Sequence, residues 1–469
     1  MAANFRTEQD FLGDKQIPAT AYWGVHTARA VENFPISGTR VSAMPDLIRA
    51  LGFVKKAAAR ANAELGALDR KRCGAIVLAC DDLIAGKLHE EFVVDVIQGG
   101  AGTSTNMNAN EVIANLALEK LGFEKGRYDV LHPNDHVNAS QSTNDVYPTA
   151  VRLALWSGID RLLGSMATLR HGFEAKAHEF KDVLKIGRTQ LQDAVPMTLG
   201  QEFSTYAVMM EEDEARLREA RALIQEINLG ATAIGTGINA PAGYADLAIR
   251  FLAEESRIPV VKSVNLIEAT QDTGAFVQLS GVLKRVATKL SKTCNDLRLL
   301  SSGPQAGFGD IKLPPRQAGS SIMPGKVNPV IPEVVNQVAF EVIGNDMTIT
   351  MASEAGQLQL NAFEPIMGWS LVKSIEHLSQ ACLTLQTHCV AGIEANHELL
   401  AKRVRESITL VTALNPIIGY EKAALIAKTA MATGAPIDQT AETLGILTRE
   451  QIEALLVPEK LTQPLRLVA

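Results

Sequence analysis

The chain has 469 residues, of which 46% are hydrophobic and 21% are charged, and its formal net charge is −7. This length allows about three domains, and the composition is that of a globular protein with neither a low-complexity tract nor a charge block. The negative net charge disfavours nucleic acid and anionic membranes as partners. An anionic ligand would therefore have to bind in a local cationic pocket.

The cysteine pattern predicts reduced, mostly buried thiols in a cytoplasmic protein, because the five cysteines are odd in number and form no CxxC pair. It does not predict a metal cluster. Residues 1–14 carry acidic side chains and lack an apolar core, unlike a signal peptide. No stretch approaches the roughly 20 apolar residues that a membrane-spanning helix needs.

Residues 1–141 predict an N-terminal, mainly helical domain. The first fifty residues mix proline, glycine and aromatic residues, which indicates loops with short strands or turns. Apolar residues at three- and four-residue spacing then predict helices over 46–66 and 71–86.

Five long helical patterns predict a central helix bundle over residues 142–397. We expect Gly344 and Pro365 to bend or interrupt the last two helices. This much apolar helix exceeds what one compact bundle buries, which indicates an extended bundle that packs against copies of itself. The predicted helices cover 148–182, 196–227, 265–302, 329–353 and 360–395.

The fold class predicted for the whole chain is therefore all-α, that is, mainly helical. Residues 398–469 change to shorter patterns that are broken at Asn415-Pro416, Gly434 and Pro436. We expect a small helical C-terminal domain there.

The stretch whose residues point most clearly to a chemical function is Gly319–Pro329, with the sequence GSSIMPGKVNP. Pro324 and Gly325 exclude a regular helix or strand. The stretch offers two hydroxyls, one cation and one amide, and its glycines let the backbone approach a ligand closely. These groups suit a loop that holds a small carboxylate and moves a proton. An ordinary surface turn before a helix is the alternative.

Two earlier stretches place hydroxyls and amides near predicted helix starts. GAGTSTNMN, at residues 100–108, precedes a helix predicted from Asn106 to Leu121, so Thr103 either caps this helix or binds an anion there. HPNDHVNASQSTND, at residues 132–145, is polar throughout, and the helical pattern resumes at Pro148. Its candidates to hydrogen-bond a carboxylate are Ser142, Thr143 and Asn144. His136 either titrates near neutral pH or is structural.

A fourth stretch, GRTQLQDAVP at residues 187–196, reads as a turn before the second long helix. Together, the four stretches resemble the fumarase/aspartase superfamily in the same order, and GSSIMPGKVNP resembles its signature loop. Residues 330–368 are more similar to the aspartase branch than to fumarases. The resemblance covers essentially the whole chain. It implies a three-domain fold and a homotetramer with a core of twenty long helices, in which three subunits share each active site.

The resemblance to the aspartase branch implies reversible deamination of L-aspartate to fumarate and ammonia. By this resemblance, Ser320 is the general base that removes a proton from Cβ, and Asn144 binds the amino group. Gln190 lies where many relatives carry histidine, which leaves its role open. The remaining residues bind the two carboxylates: Lys326, Asn328 and Thr189 of another subunit for the α-carboxylate, and Thr103, Ser142, Thr143 and Ser321 for the β-carboxylate.

The chemistry of such a reaction demands an array of this kind. Removing a proton beside a carboxylate leaves a doubly charged aci-carboxylate, and preorganised donors stabilise that charge. Serine acts as a base only when ionised, so Lys326 and backbone N–H groups of the loop must lower its pKa. The sequence has no metal-ligand cluster with recognisable spacing, so we expect the chemistry to require no cofactor. The resemblance leaves open whether a divalent cation such as Mg²⁺ activates the enzyme.

Two alternatives remain at this point. The first is a class II fumarate hydratase, which expels or adds water and needs a proton donor or base for it. Fumarase-like relatives use a histidine–glutamate pair. Here Glu333 is present, but its expected partner is Gln190, which does not exchange a proton near neutral pH. The second alternative is a catalytically silent member, as the crystallins of the superfamily are.

Overall fold

The computed structural model describes residues 5–463 and is mainly helical, as predicted. The strands, which form two-stranded ladders, are β1 (Phe5–Asp10), β2 (Gly13–Pro18), β3 (Leu184–Thr189), β4 (Gln192–Thr198), β5 (Glu226–Ile227), β6 (Val261–Lys262), β7 (Ile311–Lys312) and β8 (Glu394–Ala395). The helices are α1 (Val25–Asn33), α2 (Pro45–Glu64), α3 (Arg70–Ile84), α4 (Thr103–Lys120), α5 (Thr143–Glu179), α6 (Leu199–Leu223), α7 (Tyr244–Ser256), α8 (Leu266–Ala269), α9 (Gly274–Leu300), α10 (Val330–Glu354), α11 (Glu364–His388), α12 (His397–Glu406), α13 (Leu410–Ile418), α14 (Tyr420–Thr433), α15 (Ile437–Thr443), α16 (Arg449–Leu455) and α17 (Pro458–Leu461).

The chain divides into two compact units. Unit 1 comprises residues 1–163, 215–285 and 341–377, and unit 2 comprises residues 164–214, 286–340 and 378–469. The sequence-based division into 1–141, 142–397 and 398–469 stays a prediction, and its outer limits at residues 1 and 469 lie outside the described residues.

Unit 1 has a core in which α2 packs on α3 and α7, and α3 packs on α4. Leu51 and Val54 of α2, Ile76 of α3 and Leu252 of α7 are fully buried there. In α2 the buried residues Leu47, Leu51, Val54 and Ala58 recur at three- and four-residue spacing, which places them on one face of the helix. The helices predicted over 46–66 and 71–86 are thus confirmed as α2 and α3.

Unit 2 has two apolar clusters. Phe173, Phe180, Phe203 and Tyr206 pack ring against ring at centroid distances of 5.4 to 6.4 Å. The helices from α12 to α17 form the second cluster, and Ile186 of β3 belongs to it. The β3–β4 hairpin is therefore fixed to this helical cluster through its own apolar side chain.

The predicted long helices are present as α5, α6, α9, α10 and α11, which have 25 to 37 residues. Among residues 5–463, no helix combines the length and apolar character needed to span a membrane. Four of the five cysteines are buried, and all five are free thiols.

The predicted start of α5 at Pro148 is wrong, because the helix begins at Thr143 and Pro148 lies inside it. Proline has no N–H and leaves the carbonyl four residues earlier without its helical donor. That carbonyl belongs to Asn144, and it accepts a hydrogen bond from Nδ2 of Asn228 at 3.0 Å. Similarly, α4 begins at Thr103 and not at Asn106.

The helix predicted over 196–227 is wrong at its start, because β3 and β4 form a hairpin through Thr198 before α6 begins. The hairpin turn uses Gln190 and Leu191, both with positive φ, without the Asn-Gly or Gly-Gly signal that usually marks such a turn. A break at residues 270–273 also separates α8 from α9, which were predicted as one helix.

Three residues that were predicted as helix breakers do not interrupt a helix, and a bend of α10 at Gly344 stays a prediction. α10 continues through Gly344, and Pro416 lies inside α13, which ends before Gly419. Pro365 is the second residue of α11. At that position the missing N–H costs nothing, since the first N–H groups of a helix have no helical acceptor.

Candidate active site

The loop over residues 319–328, called the serine loop below, is closed by hydrogen bonds among its own residues. The backbone N–H of Gly319 donates to the carbonyl of Lys326 at 2.8 Å, and Nδ2 of Asn328 donates to the carbonyl of Gly319 at 2.8 Å. A Cβ at position 319 would lie 2.7 Å from the Lys326 carbonyl oxygen, so only glycine fits there. The loop can therefore keep this shape while most of its side chains remain exposed.

Ser320 is the acceptor of two backbone hydrogen bonds. Its Oγ lies 3.2 Å from the N–H nitrogen of Ile322 and 3.0 Å from that of Met323. Two donors aimed at one hydroxyl oxygen favour the ionised form over the neutral form. This is the backbone contribution that the sequence analysis required of the loop.

A cavity of about 620 Å³ in unit 2 borders the serine loop and contains cationic side chains. Lys326 and Asn328 line it together with Arg298, Lys312 and Glu333. The negative net charge of the chain made a local cationic pocket necessary for an anionic ligand, and these side chains provide one.

The β3–β4 hairpin carries Thr189 and Gln190 at its tip, where both are exposed. Gln190 and Leu191 have φ values of 54° and 63°. This left-handed conformation is unfavourable for most residues other than glycine. Within residues 5–463, the side chains of Thr189 and Gln190 accept and donate no hydrogen bond. The tip thus presents both polar side chains outward.

Thr103 is the first residue of α4 and is exposed. Gly102 precedes it with φ 91°, and a Cβ there would lie 2.4 Å from the ring of Tyr147. The glycine lets the chain enter the helix beside this buried ring. Oγ1 of Thr103 donates to the carbonyl of Gly100 at 2.7 Å, and the backbone N–H groups of Thr103 and Thr105 already donate to the Gly100 carbonyl and to Oε1 of Gln98.

Residues 138–145, called the buried-anchor segment below, carry Ser142, Thr143 and Asn144 at the start of α5. Asp145 fixes this segment, because its carboxylate accepts hydrogen bonds from the backbone N–H groups of Ser142, Gly230 and Thr232 at 2.9 to 3.1 Å. Burial raises the pKa of Asp145 to about 7, and the three N–H donors oppose that rise.

The side chains of this segment have different environments. Thr143 is buried and its Oγ1 accepts from Nδ2 of Asn106 at 3.0 Å. Asn144 uses Nδ2 to donate to the carbonyl of Ala233 at 2.8 Å. Ser142 Oγ accepts from the N–H of Asn144 at 3.2 Å.

Lys55 is a further residue of this region, and the sequence analysis did not find it. It is completely buried, and its Nζ donates to Oδ1 of Asn138 at 2.8 Å and Oε1 of Gln141 at 2.9 Å. Burial lowers the pKa of Lys55 to about 7. The available signal was its spacing, since Lys55 interrupts the apolar stripe formed by Leu51 and Ala58.

His136 has a structural role, which answers one question that the sequence left open. Its Nδ1 accepts the backbone N–H of His132 at 2.7 Å, and burial lowers its pKa.

In outline, the structure groups the predicted site residues into two sets. Thr103 and the start of α5 belong to unit 1, whereas the hairpin tip and the serine loop, with Ser320, Ser321, Lys326 and Asn328, belong to unit 2. Among residues 5–463, no group of three histidine, cysteine, aspartate or glutamate side chains is arranged to hold a metal ion.

The fold and these loops define a protein of the lyase class. A family model described as "Lyase" matches residues 13–344, and one described as "Fumarase C C-terminus" matches residues 410–463. The chain therefore belongs to this lyase family, within the fumarase/aspartase superfamily.

Named relatives specify the branch of the superfamily. The chain is 58% identical to the aspartate ammonia-lyase of Pseudomonas fluorescens, over 99% of this chain and 97% of that protein. It is 52% identical to the aspartate ammonia-lyase of Escherichia coli, over 99% of this chain and 97% of that protein.

Solved structures agree with the assignment to the superfamily. The chain superposes with a TM-score of 0.95 on a fumarate lyase:delta crystallin from Brucella melitensis bound to cobalt, at 56% identity over 98% of this chain and all of that one. It superposes with a TM-score of 0.92 on a class II fumarase from Schistosoma mansoni, at 34% identity over 99% of this chain and all of that one.

Proposed function

We propose that the protein is an aspartate ammonia-lyase, which converts L-aspartate reversibly to fumarate and ammonia. The observation that carries this proposal is the identity of 52 to 58% with proteins of that name over nearly the whole chain. The class II fumarase from Schistosoma mansoni has the same fold but only 34% identity. The alternative activity, fumarate hydration, therefore has weaker support.

In this proposal Ser320 is the general base. Its ionised Oγ takes the proton from Cβ of L-aspartate, and the electrons of the broken C–H bond move into the β-carboxylate to form the aci-carboxylate. When this intermediate collapses, the double bond forms and the Cα–N bond breaks, so nitrogen leaves with its electron pair as ammonia. The two N–H donors on Ser320 Oγ support the ionised base that the first step needs.

The remaining residues bind the substrate. Lys326, Asn328 and Thr189 hold the α-carboxylate, and Asn144 binds the amino group. The aci-carboxylate gains charge as it forms, so donors fixed before the reaction stabilise the transition state more than the substrate. The buried hydrogen bonds beneath Thr143 support such preorganisation. The proposed donors to the aci-carboxylate are Thr103, Ser142, Thr143 and Ser321.

A homotetramer in which three subunits share each site completes the proposal. The exposed face of α10 supports assembly, because Ile343, Met347 and Met351 recur every four residues with 39%, 62% and 65% of their surface exposed. A contiguous apolar stripe of this kind indicates a protein interface. The exposed hairpin tip likewise presents Thr189 and Gln190 outward, as a contribution to a site on another subunit requires. A cytoplasmic location agrees with the free cysteines.

The leaving group follows from the side chain at position 190. An ammonium group already carries the proton with which ammonia departs, whereas hydroxide needs a proton donor. Gln190 cannot supply a proton near neutral pH, but its carbonyl oxygen can accept a hydrogen bond from the ammonium group.

The test follows the ultraviolet absorbance of fumarate in parallel reactions with L-aspartate and L-malate. We expect fumarate from L-aspartate and essentially none from L-malate. Comparable rates from L-malate with L-aspartate inert would assign the protein to the fumarases. No turnover of either substrate by the folded protein would instead support a catalytically silent member.

A further inference from the structure

A buried carboxylate, Asp310, joins separate segments of unit 2. Arg188 approaches it with both terminal nitrogens, Nη1 at 2.6 Å from Oδ2 and Nη2 at 3.3 Å from Oδ1. Arg403 of α12 places Nη1 2.6 Å from Oδ1, and Lys185 places Nζ 3.3 Å from Oδ2. One completely buried carboxylate therefore holds the base of the β3–β4 hairpin and the helix α12.

The positions of these residues along the chain connect the carboxylate to proposed site residues. Arg188 directly precedes Thr189, and Asp310 lies ten residues before Ser320. Asn396 fixes the backbone of Asp310 in turn, because its N–H donates to the Asp310 carbonyl at 3.0 Å and its Nδ2 donates to the Gly309 carbonyl at 3.1 Å. The backbone that carries the carboxylate is thus hydrogen-bonded on its own side as well.

The geometry of the hairpin also depends on these contacts. Residues three apart in a regular strand point to opposite faces, yet Lys185 and Arg188 both reach Oδ2 of Asp310. The β3–β4 register shifts between Ile186 and Arg188, and such an irregularity bends and twists a hairpin locally. The shift therefore turns Arg188 toward the carboxylate at the last residue before Thr189.

The conformation of the hairpin tip gives a second, independent indication. Gln190 and Leu191 both have positive φ, and such strained residues persist only when the surrounding structure determines their conformation. The Asp310 cluster holds the hairpin through Arg188, the last residue before Thr189, and Asp193, which pairs with Arg188 in the ladder, accepts a hydrogen bond from the Ser407 hydroxyl at 3.3 Å. Arg188 is held further by the ring of Phe308, whose centroid lies 4.3 Å from its guanidinium carbon.

Added stability alone does not account for this cluster. Lys185 also pairs with Glu202 at 2.6 Å, so three cations surround two carboxylates in a largely buried place. The desolvation of buried ion pairs offsets much of their attraction, and apolar residues often stabilise a fold as well or better. A two-nitrogen contact between an arginine and a carboxylate also fixes the orientation of the two side chains.

We propose that Asp310 is a positioning residue of the active site, which holds Arg188 and Lys185 so that Thr189 and Gln190 are presented in the geometry that substrate binding requires. This inference rests on the proposed function, in which Thr189 binds the α-carboxylate of L-aspartate. Asp310 itself does not touch the substrate and acts through the hairpin.

The kinetic test uses Asp310→Asn, which preserves the size of the side chain, and Arg188→Lys, which preserves the charge but removes the two-nitrogen contact. We expect KM for L-aspartate to rise about tenfold or more and kcat to fall less than about threefold, because a binding contact is misplaced while the base is intact. The matched control is Glu214→Gln, which alters another buried carboxylate, 2.9 Å from Nε of Arg170. We expect its KM to be unchanged.

A double-mutant cycle separates positioning from a general loss of structure. If Asp310 acts through Thr189, then Asp310→Asn should add little to the KM of a Thr189→Ala variant. Independent, multiplicative effects of the two substitutions would overturn the proposal. So would wild-type KM in both Asp310→Asn and Arg188→Lys.

Backbone hydrogen exchange tests the same inference without activity. Asp310→Asn should reduce the protection of amides in residues 186–197, and Glu214→Gln should not. Unchanged protection in Asp310→Asn would overturn the positioning role even if the enzyme works as proposed. Conversely, wild-type protein that does not act on L-aspartate would refute the proposed function, while the exchange experiment still decides whether Asp310 positions the hairpin.

Discussion

The serine loop and the buried-anchor segment both carry residues of the proposed site, but opposite kinds of contact hold them. The serine loop is closed by its own backbone and by Asn328, and its side chains are mostly exposed. The buried-anchor segment is held by long-range contacts to Lys55, Gly230 and Thr232, which are buried.

This difference corresponds to two chemical tasks. Donors for a developing negative charge work best when they are fixed before the reaction, so they belong on a segment with buried anchors. A loop that carries the base must admit substrate and then exclude water, so it cannot be tied to a core. The comparison therefore predicts that changes in the serine loop affect activity alone, whereas changes beneath the other segment affect stability as well.

The largest expected effect is that of Ser320→Ala. We expect turnover of L-aspartate to fall about a hundredfold or more, the range for losing a positioned base, while the thermal midpoint stays within about one degree because no core contact is lost. Initial rates and a thermal scan on the same preparation check both parts. Near-wild-type turnover would remove Ser320 from its assigned role, and a large drop in midpoint would contradict the self-contained loop.

The next effect concerns the exposed hairpin tip. If Thr189 and Ser320 of different subunits serve one site, refolding equal amounts of Ser320→Ala and Thr189→Ala chains together should regenerate about a quarter of the intact sites by random assembly. The measurement is the specific activity of the mixture, with mixed tetramers confirmed by native mass spectrometry. A mixture as inactive as its parents would show that one chain supplies both residues.

A smaller effect is expected when the anchor of the buried segment is removed. Lys55→Met removes one donor from Oδ1 of Asn138, which keeps those of Asn106 and Asn110, and removes the Lys55 donor from Oε1 of Gln141. A buried polar group left without a partner costs about 1–3 kcal/mol. We expect the thermal midpoint, measured at one protein concentration and scan rate, to fall by several degrees together with activity.

Lys326→Ala is the matched control for that substitution, because Lys326 is an exposed lysine of the serine loop. It should weaken substrate binding, since a carboxylate loses its charged partner, and leave the midpoint unchanged. Equal losses of stability in the two lysine variants would abolish the distinction between the regions.

The last prediction is a pH dependence that belongs to the buried segment. Burial lowers the pKa of Lys55 to about 7, whereas an unfolded lysine has a pKa of about 10.4. Between these values the unfolded chain binds more protons than the folded one, so raising the pH stabilises the fold and lowering it toward 7 removes that contribution.

Lys55→Met lacks this titration. The difference in thermal midpoint between wild type and Lys55→Met should therefore grow as the pH rises from 7 toward 10. Thermal scans at several pH values in that range measure the difference. A difference that is constant or shrinks over the range would show that Lys55 titrates with an ordinary pKa in the folded protein.

The sequence by itself determined the helical class, the five long helices and the identity of the serine loop. Helical periodicity is a local property, and a buried helix face requires it wherever the helix packs, so α2, α3 and the long helices could be located from spacing alone. The order GSSIMPGKVNP, together with three other stretches, was specific enough to identify the superfamily. The roles of the site residues remain predictions.

Only the tertiary structure revealed the long-range contacts that hold the segments of the proposed site. The spacing places Lys55 in the apolar stripe of α2, but only the fold shows that Asn138 and Gln141, more than eighty residues away, accept its hydrogen bonds. The hairpin tip at Gln190 carries no turn signal in the sequence, and the contact at its base is made by Asp310, 122 residues from Arg188. The role of Asp310 could not be inferred from the sequence, because Arg188 and Arg403, which are distant along the chain, contact its carboxylate only in the folded protein. Local patterns cannot predict such contacts, since buried charges are positioned by partners that the fold brings together.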